Sequence, residues 1–347
     1  VTSLDTTRRA LRVAVASRIT PGAALSLVGP SGPVAHLAEG TLSYCTDAAA
    51  VDDHTIYDLA SLTKVLVTTT LLVDLVSRRQ LDLDQPVHDV LPLWREGRLS
   101  AVTARHLLTH AAGLPPHLAL YKSCVGREDF LSALNKLTPV APINTVSVYS
   151  DLGFIALGLL IERVTGHSLD DAYRRWVATM SSAPIALTFF PAVPVRPRVA
   201  PTEWDPWRQR LLVGEVHDEN AFALGGAAGH AGLFGTADAV GVVASWWLRR
   251  VLESAECRRW TEPCHVPGSS RALGWDTMRP SSSCGPHFSP ESFGHTGFTG
   301  TSLWIDPVRQ TGVVLLTNRV HPSRAGDRMQ PFRRRLHSAV AHDLRWS

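Results

Sequence analysis

Apolar positions recur along this chain with two different periods, and the places where the period changes divide it. Over residues 4–17 they fall at helical spacing behind Asp5 or Thr6, which predicts an amphipathic helix. Residues 23–28 and 34–40 read as strands flanking Gly29-Pro30-Ser31-Gly32-Pro33, a hairpin signal. From 58 to about 165 the pattern is mostly helical, with breaks at Pro86, Pro92, Pro115-Pro116 and 139–142. Within it, 65–76 is apolar nearly all round and free of Gly and Pro, which predicts a buried helix that Asp58 or Ser61 could cap. A second apolar helix is predicted over 153–163, ending near Gly166. Residues 181–210 hold six prolines with Trp204 and Trp207, so an ordered but irregular excursion is expected. Residues 263–290 are a second loop-rich stretch, with a short strand predicted at 273–275. Strands at 299–305 and 312–317 are joined by a turn over 306–311, and a last helix covers 330–344.

Strands therefore lie at both ends of the chain and helices fill the middle. The simplest closure is an α/β fold of the α+β type. N- and C-terminal strands pair in one antiparallel sheet flanked by helices, beside an all-helical lobe. The expected division is 1–60 with 237–347 as the sheet-plus-helix domain and 61–236 as a mainly helical lobe. A cleft is expected between them, walled by loops at 115–128, 181–210 and 263–290.

Composition narrows the classes. With 45% hydrophobic and 19% charged residues, the chain is long enough for one large packed domain or two. A net charge of +3 with arginines scattered from Arg8 to Arg345 gives no stripe suited to nucleic acid, and Arg333-Arg334-Arg335 reads as a solvated helix face. Five cysteines without a Cys-x-x-Cys pair argue against a disulfide framework or a thiol zinc site, although Cys257, Cys264 and Cys284 are close enough in sequence for one bridge. No apolar run is long enough to span a membrane, and no signal-peptide pattern opens the chain. The expectation is a cytoplasmic protein, or a periplasmic or secreted one if a preceding segment has been removed. Oligomeric state is not readable.

The chemistry starts from a scarcity. Of 34 basic residues only Lys64, Lys122 and Lys136 are lysines. Arginine keeps its proton in a protein, whereas a buried lysine can lose it. Lys64 follows Ser61 by three residues, which puts both side chains on one face of a first helical turn. Such a pair alone is also what a serine cap before a solvated lysine looks like. Ahead of a buried helix it gains three assets: free backbone N–H groups for an oxyanion, a positive helix end, and desolvation, the last two favouring a neutral amine. A neutral amine can take the serine proton.

Other segments offer partners. Tyr149-Ser150-Asp151 stands at a helix entrance, where Tyr149 could relay protons or simply pack and Asp151 could cap. In His295-Thr296-Gly297 the glycine lets backbone approach a ligand, and the next N–H, of Phe298, could bind an oxyanion. The glycine-rich loop 225–232 lacks the Gly-Lys-Ser/Thr of a phosphate loop. Asp218, Asn220 and His230, with His217, do not match a zinc pattern and read as a hydrogen-bonded network or as substrate contacts; His110 reads as structural.

Taken together, Ser61-Leu62-Thr63-Lys64, the stretch 107–114, Tyr149-Ser150-Asp151 and His295-Thr296-Gly297 occur in an order that resembles the penicillin-binding-protein-like serine hydrolases. That superfamily holds class C β-lactamases, DD-peptidases and related esterases. The resemblance runs from about residue 4 to the C-terminus. It implies an acyl-enzyme on Ser61, with Lys64 as proton acceptor, Tyr149 as proton shuttle and the N–H groups of Ser61 and Phe298 as the oxyanion hole. It implies no metal and no cofactor, and a small-molecule or peptide acyl substrate. Asp151 stands where the superfamily has Asn and would tend to hold Lys64 charged. His295 stands where it usually has Lys, and a largely neutral imidazole anchors a carboxylate weakly. Ester or amide hydrolysis with little β-lactamase activity is therefore expected. Acyl transfer to an acceptor other than water is the alternative within enzymes, and an inactive binding protein the alternative outside them.

Overall fold

The computed structural model describes residues 3–180, 184–326 and 328–346. The predicted excursion at 181–210 thus lies partly outside the described residues. The chain opens with α1 (Asp5–Ala16) and the hairpin β1 (Gly22–Gly29) and β2 (Gly32–Gly40). β3 (Tyr57–Asp58) leads through a turn into a π-helical stretch, Lys64–Thr69, that runs on as α2 (Thr70–Ser77). Four helices follow: α3 (Ala104–Leu108), α4 (Gly126–Asn135), α5 (Asp151–Thr165) and α6 (Leu169–Val177). Short strands β4 (Leu187–Thr188), β5 (Trp204–Asp205) and β6 (Arg210–Leu211) precede α7 (Glu219–Ala223) and β7 (Phe234–Gly235). The chain then returns through α8 (Ala237–Glu253) and α9 (Ala255–Arg259) to β8 (Asp276–Thr277), β9 (Phe293–Thr296), β10 (Ser302–Asp306), β11 (Thr311–Thr317) and α10 (Met329–Asp343).

The main sheet has the order β2-β1-β11-β10-β9-β8 with antiparallel pairing throughout. The N-terminal hairpin is joined to the C-terminal strands by β1 against β11, with Ala23 opposite Thr317 and Val28 opposite Gly312. β1 is buried on both faces because helices cover both. Its alternation sorts the core. Ala23, Leu25 and Leu27 pack with Leu11 of α1 and Phe332 and Leu336 of α10, whereas Ala24 and Val28 join the larger core that includes α8, α2 and α5. That larger core explains why the two apolar helices seen in the sequence lack a polar face: ten consecutive residues of α5, Leu152–Ile161, are buried.

Three local expectations shift. The strand predicted at 273–275 is a turn, and pairing begins at β8. Gly274 has φ +84°, and a Cβ there would come within 2.0 Å of the Thr69 hydroxyl oxygen, so the segment bends over the π-helical stretch instead of extending. His295-Thr296-Gly297 does not run directly into a strand at 299. His295 and Thr296 end β9, and Gly297 N–H donates to Thr301 O at 2.8 Å, closing a turn before β10. Neither Ser61 nor Asp58 caps the buried helix. Asp58 instead accepts from Ala60 N–H at 2.8 Å and His217 N–H at 2.7 Å. All five cysteines are free.

Candidate active site

Ser61 sits in the turn that follows β3, and the sequence around it is pinned from both sides. Leu59 N–H donates to Leu233 O at 2.9 Å. The hydroxyls of Thr299 and Thr301 donate to the carbonyls of Asp58 and Leu59 at 2.8 and 3.0 Å. These bonds fasten the turn that carries Ser61 to the turn between β9 and β10. Ala60, immediately before Ser61, is held at φ +47°. A non-glycine residue there carries strain of roughly 1–2 kcal/mol. The Asp58 carboxylate on its N–H and the Thr63 hydroxyl on its carbonyl, at 2.7 Å, oppose its relaxation. Gly297 packs on the same turn: a Cβ there would meet Thr301 Oγ1 at 2.1 Å and Leu59 O at 2.7 Å.

Lys64 is 0% exposed. Its ammonium donates to Ser61 Oγ at 2.9 Å, to Asp151 Oδ1 at 2.7 Å and to His230 O at 3.3 Å. The Tyr149 ring lies over it with its centroid 4.9 Å from Nζ. Burial alone would lower the lysine's proton affinity, but the Asp151 carboxylate and Tyr149 outweigh it, and the amine is pushed above its ordinary value. This differs from the neutral amine expected from burial and a helix end. The reason is Asp151: burial would raise its carboxyl, yet Lys64 and His117 hold it far below the carboxylate range. The resting pair is ammonium and carboxylate. Lys64 also begins a π-helical stretch rather than an α-helical first turn, a widening often found at functional sites.

Tyr149 stands between His110 and His295, with ring centroids 4.6 and 5.9 Å away. Both imidazoles are driven well below their ordinary value by burial, then by the charges of Arg271 and Lys64. His110 Nδ1 accepts the Ser150 N–H at 3.0 Å, which orients the Tyr149-Ser150-Asp151 segment. His295 gives its Nδ1 proton to Thr296 O at 2.9 Å, so Nε2, buried and without a partner among the described residues, carries a lone pair. A neutral His295 supplies no fixed charge.

The N–H groups of Ser61 and Phe298 make no hydrogen bond among the described residues. Both residues line a cleft of about 640 Å³, together with Tyr149, Asp151, His295, Thr296 and Gly297. Asp218 lines it as well. Burial would raise its carboxyl, but the His230 imidazole, 2.8 Å from Oδ1, holds it at about 2. Asp218 also accepts the Ala221 N–H at 2.8 Å and caps α7. His230, 1% exposed, contributes its carbonyl to Lys64 and its ring to Asp218. Asn220 is wholly buried and does not line the cleft. Its amide is spent on Tyr121 N–H at 2.9 Å and Leu118 O at 2.8 Å, fixing the 118–121 segment.

Of the loops expected to wall the cleft, 115–128 contributes His117 and 263–290 contributes Arg271 and Asp276, while no described residue of 181–210 lines it. Glu203 acts from behind, gripping Arg324, a wall residue, at 2.8 Å. His117 and Arg271 went unrecognised in the sequence. The proline pair before His117 marks a stiff loop but says nothing of where it docks, and no local pattern distinguishes Arg271 from the other arginines.

Comparison with known proteins gives the family. A protein of Bacillus subtilis strain 168 named N-acetylmuramyl-L-alanine amidase is 31% identical over 310 residues, covering 79% of this chain and 70% of its own. A protein of Escherichia coli strain K12, provisionally named a D-alanyl-D-alanine carboxypeptidase, is 30% identical over 318 residues, covering 80% and 72%. A penicillin-binding protein homologue from Caulobacter crescentus superposes with a TM-score of 0.77 at 21% identity, over 98% of this chain and 97% of that one. The family model described as Beta-lactamase matches residues 7–337, so the chain belongs to the beta-lactamase family.

Proposed function

We propose that this chain is a serine hydrolase that cleaves an amide or ester through an acyl-enzyme on Ser61. The observation that carries the reading is the wholly buried Lys64 ammonium, 2.9 Å from Ser61 Oγ and 2.7 Å from Asp151. Once Lys64 has given up a proton, its free amine accepts the proton of Ser61 as Oγ attacks the substrate carbonyl carbon. The carbonyl oxygen becomes an oxyanion received by the Ser61 and Phe298 N–H groups. The tetrahedral centre collapses, the bond to the leaving group breaks, and that group takes the proton back by way of Lys64 and Tyr149. Water then attacks the acyl carbon, the bond from that carbon to Ser61 Oγ breaks to release the acid, and a proton of that water returns to Oγ.

The substrate we favour is a peptide with a free carboxylate. His295 is neutral, so the fixed positive charge must come from elsewhere, and the Arg271 guanidinium is in place. It lines the cleft half-buried, its Cζ 4.9 Å from the Tyr149 ring centroid, with no carboxylate within ion-pair distance among the described residues. A planar fork of donors beside the nucleophile suits a carboxylate. The name of the Escherichia relative, a carboxypeptidase, supports the same class.

The test is hydrolysis of a peptide ending in D-Ala-D-Ala, free or amidated at its C-terminus. Wild type is expected to prefer the free acid, and Arg271→Gln to lower kcat/KM for it by about 100-fold while leaving the amidated peptide within about threefold. Equal losses on both peptides would remove Arg271 from substrate recognition. Full turnover of either in Ser61→Ala would remove the acyl-enzyme.

A further inference from the structure

The turn that presents Phe298 is gripped by an arginine that the sequence pattern places on a solvated face. Within Arg333-Arg334-Arg335, Arg335 is exposed, but Arg333 is buried, at 7% exposure. It stands on α10 beside Phe332, which packs with Leu11 of α1 and Leu25 of β1, so the base of its side chain is fixed by the core. Its Nη2 donates to Gly297 O at 3.1 Å and to Thr301 O at 2.9 Å. Those carbonyls stand at the two ends of the turn. Gly297 O also accepts from Gly300 N–H at 3.1 Å, and Thr301 O from Gly297 N–H at 2.8 Å. Arg333 thus bridges both ends, while the Thr299 and Thr301 hydroxyls tie the turn to the segment that leads to Ser61.

We propose that Arg333 is a positioning residue for the oxyanion: by holding Gly297 O it aims the Phe298 N–H into the cleft and makes it a stronger donor. The proposal rests on the acyl-enzyme reading given above, in which that N–H receives the carbonyl oxygen. The link is the peptide bond itself. Gly297 C=O and Phe298 N–H belong to one planar unit, and it is trans, since the cis peptide among the described residues is His321-Pro322. In a trans unit the two groups point in opposite directions. A donor that pins the oxygen toward α10 therefore turns the hydrogen away from α10. Phe298 lines the cleft, and its N–H makes no hydrogen bond among the described residues. A glycine on one side leaves this unit freer to rotate than any other residue would, so the hold must come from outside the backbone.

The hold is charged as well as directional. A cation on a carbonyl oxygen draws electrons toward that oxygen and leaves the N–H of the same unit more positive, an effect that little solvent screens at a buried site. Arginine keeps its charge throughout. The next carbonyl of the turn is treated differently. Phe298 O belongs to the following peptide unit and accepts from Arg319 Nε at 2.9 Å. Arg319 therefore pins the neighbouring unit, and Arg333 pins the one that carries the Phe298 N–H. Arg333 acts through that peptide and not on the substrate.

The experiment compares kcat/KM for p-nitrophenyl acetate with that for its thiono analogue, in which sulfur replaces the carbonyl oxygen. Sulfur is larger and a poorer acceptor, so well-placed N–H donors favour the oxygen ester. The ratio of the two reads those donors, and a loss of folded enzyme cancels from it. Both esters are neutral, so carboxylate binding plays no part. Arg333→Met is expected to lower the ratio about tenfold, a part of the roughly 10²–10³ that a whole donor supplies. Arg333→Lys, which keeps a cation beside the turn, is expected to hold the ratio within about threefold of wild type. Arg335→Met, which removes an exposed charge from the same helix, is expected to leave it unchanged. Should Arg333→Met fail to fold, Arg333→Gln takes its place with the same expected fall. A ratio within about threefold of wild type in the neutral variant, a fall in Arg333→Lys as large as in that variant, or an equal fall in Arg335→Met would overturn the proposal. Loss of the acyl-enzyme reading would look different: Ser61→Ala would then turn over the oxygen ester as wild type does.

Discussion

Two buried cations of this chain make opposite use of burial. The Arg208 side chain is 3% exposed and spends its guanidinium on Asp205, on the carbonyls of Val216 and His217 at 2.7 Å each, and on Glu215 at 3.3 Å. Lys64 is 0% exposed and divides its ammonium among Asp151, a carbonyl at 3.3 Å and one serine hydroxyl. Every acceptor around Arg208 is part of the scaffold, and arginine cannot release its proton. One acceptor around Lys64 is the group proposed to do chemistry, and lysine can release its proton. Buried charge alone is thus no mark of function. The mark is a proton that can leave, held beside a group that can receive a substrate. On the proposed mechanism this gives physical content to the choice of lysine at 64: it stands in a buried place where a permanent charge would not do.

The largest expected effect comes from erasing that distinction. Lys64→Arg keeps the charge and loses the removable proton, so kcat for p-nitrophenyl ester hydrolysis should fall about 10³-fold, close to the fall in Lys64→Ala. Activity within tenfold of wild type would place Lys64 with Arg208 as a structural cation. Next is stability, measured by urea unfolding. Arg208→Met leaves Asp205, itself 0% exposed, without its partner, and should cost about 3–5 kcal/mol. Lys64→Met should cost less, because Asp151 is 20% exposed and keeps His117. The reverse order would break the comparison. The smallest effect is a titration. Glu203 is held at about 2: burial would raise its carboxyl, but His217 and Arg324 outweigh it. Its folded value lies below its unfolded one, so its contribution is present above about 4.5 and is lost as pH falls toward about 2. Glu203→Gln should therefore flatten the stability curve in that window, and an unchanged slope would mean the Glu203–Arg324 contact contributes nothing there.

Much of this was legible in the sequence because it is periodic or local. The hairpin of β1 and β2, the two buried helices and the terminal helix follow from spacing that a single element must satisfy. β9 was not legible: it is four residues long, and only its pairing with β10 makes it a strand. Gly274 reads locally as part of a strand, and only the approach to Thr69 turns it aside. The site divides the same way. Ser61 and Lys64 announce themselves three residues apart, and the exchange of Asn for Asp at 151 points to a lysine held charged. Asp151 and Lys64, however, are 87 residues apart, and their 2.7 Å contact belongs to the tertiary fold. His117 and Arg271 belong wholly to it. Charges that act at a distance along the chain leave no spacing to read.

The central claim is that Ser61 is a nucleophile made ready by a lysine able to lose its proton. The most direct measurement is the intact mass and tryptic map of the protein after exposure to a fluorophosphonate, in wild type and in Lys64→Arg at equal time. The account predicts one adduct on the peptide that carries Ser61 in wild type and almost none in Lys64→Arg. An adduct on another residue, or labelling of Ser61 in Lys64→Arg at the wild-type rate, would contradict it.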